Sequence, residues 1–175
     1  MSMGLCGCHG GNRIGEVATM KHEIITADIS SAEIAERAAA ACVALRARRM
    51  SRIITRIYDD AMRPLGLTAS QFTLLTAVAQ QDSITAAEIG YDLDIEKSTL
   101  SRNLKRLVTL KLINMDPPAG RRGRGLHLSD AGHTAISSAF PIWRTTQDKV
   151  HDALGEGSTR TLDGLLEQAE KLLAA

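Results

Sequence analysis

The sequence predicts an all-α protein with one small β-hairpin, and three observations carry that prediction. Aromatic residues make up only 3% of the 175 residues, so the core is built from Leu, Ile and Ala, which favour helices over a β-sandwich. Capping tetrapeptides recur ahead of apolar residues spaced three and four apart, each marking a helix start. A single stretch of prolines, glycines and arginines lies between two short apolar runs, the pattern of a hairpin with a long loop. The length suits one domain with a real hydrophobic core, plus extensions.

Residues 1–29 are Gly-rich up to Gly15 and lack helical periodicity, so they are expected to form a poorly ordered leader ahead of a folded domain at 30–175. Ser30-Ser31-Ala32-Glu33 reads as a capping box opening a helical pattern that continues to about Arg63. One apolar stripe is Ile34, Ala38, Cys42, Leu45, Ile53 and Ile57, interrupted by Arg49. A second is Ala47, Met50, Ile54, Tyr58, Ala61 and Leu65. Two stripes need two packing partners, and about 32 helical residues span roughly 48 Å, longer than a small domain is wide. Part of this helix is therefore expected to pack on a second subunit.

Thr68-Ala69-Ser70-Gln71 opens a helix through Phe72, Leu75 and Val78 to near Gln81, and Thr85-Ala86-Ala87-Glu88 opens a short one to about Asp92. Asp94 is expected to cap the next helix, with Leu100, Leu104, Leu107 and Val108 on its inner face. Its outer face carries Lys97, Ser98, Ser101, Arg102, Lys105 and Arg106. The tight connection between the two makes them a helix-turn-helix. Residues 112–115 and 126–128 read as strands. The segment between them is too long for a two-residue turn and is expected to project as a mobile cationic wing, completing a winged helix-turn-helix at 68–128. Ser129 caps a long helix to about Leu154 that Pro141 is expected to kink. A last amphipathic helix carries Leu162, Leu165, Leu166, Ala169 and Leu172. Segments 32–63 and 130–174 are the expected dimerisation helices.

The formal net charge is only +1, but residues 97–124 hold eight basic residues and a single acid, Asp116. That +7 stripe on a near-neutral body is the footprint of a polyanionic partner, whereas a merely solvated face would mix signs.

The order of elements resembles the MarR family of bacterial transcription regulators over about residues 34–173. The closest stretches are Cys42-Val43-Ala44-Leu45-Arg46 with Arg49, Leu65-Gly66-Leu67-Thr68-Ala69-Ser70-Gln71-Phe72, Ser98-Thr99-Leu100-Ser101-Arg102-Asn103-Leu104, and Leu126-His127-Leu128-Ser129-Asp130-Ala131-Gly132. The chain departs from the family at Gly120, two positions before Arg122, where an acid usually orients the wing-tip arginine. The resemblance implies a homodimeric winged helix-turn-helix that binds double-stranded DNA at a pseudo-palindromic operator, often as a repressor released by a small-molecule effector or by oxidation.

On the helix at 97–109, guanidinium, ammonium, hydroxyl and amide groups are those that read base edges and bind phosphate. Arg102 and Asn103 are the base-reading candidates. Lys97, Ser98, Thr99, Ser101 and Arg106 are expected to position the backbone, and Arg121, Arg122 and Arg124 to reach phosphates or the minor groove. An Arg-rich loop also suits RNA, and a winged helix that binds another protein and no DNA is the alternative reading of the whole. Cys42, one turn from Arg46, is read either as a thiol activated for oxidation or as a small packing residue. Tyr58, Phe72 and Trp143 either line an effector pocket or belong to the core. Cys6, Cys8 and His9 make an incomplete set for a soft metal. The five histidines show no ligand spacing, and no hydrolase, phosphate-loop or dinucleotide motif occurs, so neither an enzyme nor a cofactor is expected. The longest wholly apolar run, Ala38 to Leu45, is far short of a bilayer span, and the first residues lack a secretory pattern, so a cytoplasmic protein without membrane contact is expected.

Overall fold

The computed structural model describes residues 29–117 and 123–174. The expected leader, with Cys6, Cys8 and His9, and the wing-tip residues Arg121 and Arg122 lie outside these. The chain divides into two compact units, one ending at Arg48 and one beginning at Arg49.

In the first unit, helix α1 (Ser31–Ala41) starts at the expected box. Ser30 N donates to Glu33 Oε2 at 2.9 Å and Glu33 N to Ser30 Oγ at 3.3 Å. The Ser30 amide first, and then its hydroxyl, which also donates to Glu33 Oε2 at 2.9 Å, hold the Glu33 carboxyl below its ordinary value. The single long helix expected to Arg63 is instead broken at Cys42, whose backbone is extended (φ −69°, ψ 109°), and α2 (Val43–Met62) begins after it. The break is capped locally. Cys42 N closes α1 on Ala38 O at 2.9 Å, and Cys42 Sγ accepts Leu45 N at 3.3 Å, satisfying one of the amides a new helix start exposes. The Arg46 guanidinium folds back onto the carbonyls of Cys42, at 3.2 Å, and Ala40.

In the second unit, α2 ends at the fully buried Met62 and a 3-10 turn (Arg63–Leu65) leads to Gly66. Helix α3 (Ala69–Ala79) is capped by Thr68 and Gln71, and Asp59 on α2 accepts Ala69 N at 2.7 Å. α3 buries Phe72, Leu74, Leu75 and Val78 and runs through the middle of the core. Around it come β1 (Ile84–Thr85), α4 (Ala86–Asp92), α5 (Lys97–Thr109), β2 (Ile113–Met115) and β3 (Gly125–Leu128). The strands make an antiparallel sheet ordered β1-β3-β2, with Ile84 opposite Leu126 and Ile113 opposite Leu128. Each of the fully buried leucines and isoleucines contributes about 1.5–3 kcal/mol of apolar transfer.

Helix α6 (Asp130–Leu154) starts where Ser129 Oγ accepts Gly132 N at 3.0 Å and itself donates to Lys111 O at 2.6 Å. Gly132 is required by closeness: a Cβ there would run into the Leu112 carbonyl oxygen. α6 continues through Pro141 without a break, and Thr145 Oγ donates to the Pro141 carbonyl at 3.0 Å. Helix α7 (Ser158–Ala174) buries no residue and leaves Leu165, Leu166, Leu172 and Leu173 between 59% and 87% exposed. Among the described residues no helix is long and apolar enough to cross a membrane.

Candidate nucleic-acid interface

Helix α5 has two faces with different chemistry. Leu100, Leu104 and Leu107 point inward, at most 4% exposed, and fasten the helix to the core. Lys97, Ser98, Thr99, Ser101, Arg102, Lys105 and Arg106 are exposed, and Asn103 is half-buried. The turn before it differs from the expected one. Asp94 does not cap; its backbone is left-handed at φ 47°, forming the turn itself, a conformation that Asp tolerates better than most residues. Glu96 caps instead, accepting Ser98 N at 2.7 Å and Thr99 N at 3.1 Å, with the Ser98 hydroxyl also donating to it. The Ser98 hydroxyl first, then the Thr99 amide, hold its carboxyl below the ordinary range. A carboxylate here also complements the positive end of the helix dipole.

The two base-reading candidates lie on adjacent positions with their polar ends turned back along α5. Arg102 Nε donates to Ser98 O at 3.2 Å and its Nη2 to Ser98 Oγ at 3.4 Å. Asn103 Nδ2 donates to Thr99 O at 3.1 Å. Reaching a base edge therefore needs a rotamer change at either residue. Beyond α5, Arg124 is exposed at the entry to β3, with Nη1 3.6 Å from Met115 Sδ.

Between α4, α5 and the strands lies an open groove of about 980 Å³ that the sequence did not announce. Its floor includes Leu100, Leu104 and Leu126, and Lys97, Lys105 and Arg124 are among its lining residues. Residues distant in sequence build it, so no local pattern reports it. None of Tyr58, Phe72 and Trp143 lines this groove. Phe72 is buried with its ring centroid 6.4 Å from that of Trp143, which stacks on Phe140 at 5.9 Å. The Tyr58 hydroxyl donates to Gln147 Oε1, joining α2 to α6, and burial raises its pKa. Cys42 is a half-buried free thiol. The activating contact expected from Arg46 is replaced by that guanidinium's bonds to backbone carbonyls. Among the described residues, no three His, Cys, Asp or Glu side chains gather as metal ligands.

At the root of the wing, His127 Nε2 lies 2.8 Å from Asp116 Oδ2 and Nδ1 lies 2.5 Å from the Asp82 carbonyl oxygen. This cluster was invisible in the sequence, where Asp82, Asp116 and His127 lie far apart.

Residues 65–122, spanning the helix-turn-helix and the first half of the wing, match the MarR family model. That stretch is similar to the MarR family. Members of that family are transcriptional regulators and not enzymes. Among solved structures, the chain is 28% identical to the M. tuberculosis transcriptional regulator MosR, with a TM-score of 0.67 over 77% of this chain and 98% of that one. MosR is also known in complex with DNA, and that structure matches at 28% identity with a TM-score of 0.63, over 74% of this chain and 98% of that one. A cysteine-to-serine mutant of E. coli MarR, solved with operator DNA, shares the fold at 21% identity and a TM-score of 0.66, covering 75% and 96% of the two chains. Bordetella bronchiseptica BpsR, whose DNA binding is regulated by 6-hydroxynicotinic acid, shares it at 21% identity and 0.64, covering 74% and 94%. No curated protein sequence matches the chain closely.

Proposed function

We propose that this protein is a cytoplasmic, homodimeric, sequence-specific DNA-binding regulator that represses transcription from a pseudo-palindromic operator. The observation that carries the reading is the division of α5 into a buried leucine face and an exposed face of Lys97, Ser98, Thr99, Ser101, Arg102, Lys105 and Arg106. A helix held rigidly from behind, with donors in front, suits the major groove. Arg121, Arg122 and Arg124 then extend contact to phosphates or the minor groove. The dimer is supported by the large exposed leucines of α7 and by Phe140, 48% exposed on α6. The DNA complexes of MosR and MarR make duplex DNA the partner to test first.

Release of DNA is assigned to a small molecule near Tyr58, Phe72 and Trp143 or to oxidation at Cys42; the ligand control of BpsR favours the first. Selection of bound sequences from a random duplex pool tests the function directly. Enrichment of a pseudo-palindrome whose half-sites lie about 34–36 Å apart is expected. Absence of any enrichment would favour a winged helix that binds another protein.

A further inference from the structure

We propose that His127 is a positioning residue for DNA binding: as an imidazolium it clasps the two wing strands to the turn before β1, so that DNA affinity falls when the ring loses its proton. The inference rests on the DNA-binding reading above and concerns described residues only.

The geometry requires both ring nitrogens to donate. Nε2 faces the Asp116 carboxylate at 2.8 Å and Nδ1 faces the Asp82 backbone carbonyl at 2.5 Å. Both partners accept, and neither has a proton to give at neutral pH. A neutral imidazole has one N–H, so deprotonation leaves one of these contacts as lone pair against lone pair. Among the described residues, the charged groups facing the ring are Asp116, beyond β2, and Asp82, ahead of β1, and both are acids. Arg124, the nearby cation at the entry to β3, is turned toward Met115. The Asp116 hydrogen bond, then that of Asp82, raises the His127 pKa above its ordinary value against a smaller opposing effect of burial. The linkage follows: the clasp is complete below the ordinary histidine range and is lost as pH rises through the raised value.

The clasp gathers three separate segments. Asp116 N donates to Gly125 O at 2.9 Å, and Asn114 stands opposite His127 in the β2–β3 register. Gly125 leaves no room to spare: a Cβ there would meet Ser83 Oγ and the Asp116 carboxylate. His127 thus ties the strands that flank the wing loop to the loop between α3 and β1.

The test measures binding of the full chain to a fluorescein-labelled random-sequence duplex from pH 5.5 to 8.5 at fixed salt, with the His127 ring followed by NMR in the free protein. Wild type should lose affinity about two- to fivefold more steeply than His127→Gln over this range, the effect of one exposed charged contact. Gln keeps one N–H and so imitates the neutral ring. Ionisation elsewhere in the chain is common to both proteins and cancels in the comparison. Asp116→Asn should flatten the profile equally and lower the His127 pKa, and the double variant should add nothing further. Parallel profiles for wild type and His127→Gln, or a His127 ring titrating at the ordinary value, would overturn the clasp while leaving DNA binding standing. No duplex binding by any variant at any pH would instead remove the DNA reading, and the proposal with it.

Discussion

Arg102 and Asn103, proposed here to read bases, differ in what each would give up to reach one. Arg102 is exposed and leaves two contacts on Ser98; Asn103 is half-buried and leaves one on Thr99 O. Both exchanges trade an intrahelical bond for one to a base edge. Replacing either with Ala should cost about 1–3 kcal/mol on the selected site and relax preference at one position. Arg124→Ala should weaken binding to selected and random duplex alike, and lower the salt slope by about one phosphate contact. Binding titrations on the two duplexes at several salt concentrations separate these outcomes. Equal losses on both duplexes for Arg102 and Asn103 would remove their base-reading role. At Gly132, Ala would press on the Leu112 carbonyl, a backbone atom that cannot rotate away. The Gly132→Ala chain should unfold at lower denaturant by about 1–3 kcal/mol, the usual range for overpacking.

At the scale of the element, the helix starts are held by short local pairs. Thr68→Ala removes the acceptor for Gln71 N and should cost about 1 kcal/mol in denaturant unfolding. The carboxyls of Glu33, Glu88 and Glu96 are all held below their ordinary values by caps. Their contribution is present above the ordinary carboxylate range and fades as pH falls through the lowered values. Unfolding midpoints should therefore drop on acidification, and less so for Glu88→Gln; equal drops would argue against the cap as the source. The caps at Glu33 and Glu88 were legible because a capping box is complete within four residues. The break at Cys42 was not, because its apolar stripe continues across it and the thiol cap replaces a hydroxyl. β1 escaped notice since two residues cannot display a period of two. Glu96 escaped because Asp94 is the better intrinsic cap, and the left-handed turn it forms depends on packing of α4 against α5. The outer face of α5 could be read from helical spacing alone. The groove beside it and the His127 clasp unite residues far apart in the chain, and only folding brings them together.

For the whole molecule, the apolar residues left exposed on α6 and α7 are more than a stable monomer needs. Leu165 and Leu166 are about 60% exposed, and Leu172 and Leu173 more than 80%. Large apolar side chains left exposed in this way are the kind of surface that an interface covers. Thermal stability should rise with protein concentration, since folding and association are linked, and Leu165→Glu with Leu166→Glu should abolish that dependence. Two copies of α5 in the proposed dimer would also account for the expected operator symmetry. The most direct test is sedimentation of the full chain, alone and with the duplex that selection enriches, at low micromolar concentration. One species near twice 18.8 kDa is expected without DNA, and two chains per pseudo-palindromic duplex with it. A monomer across the concentration range, or one chain bound per duplex, would contradict the dimeric reader.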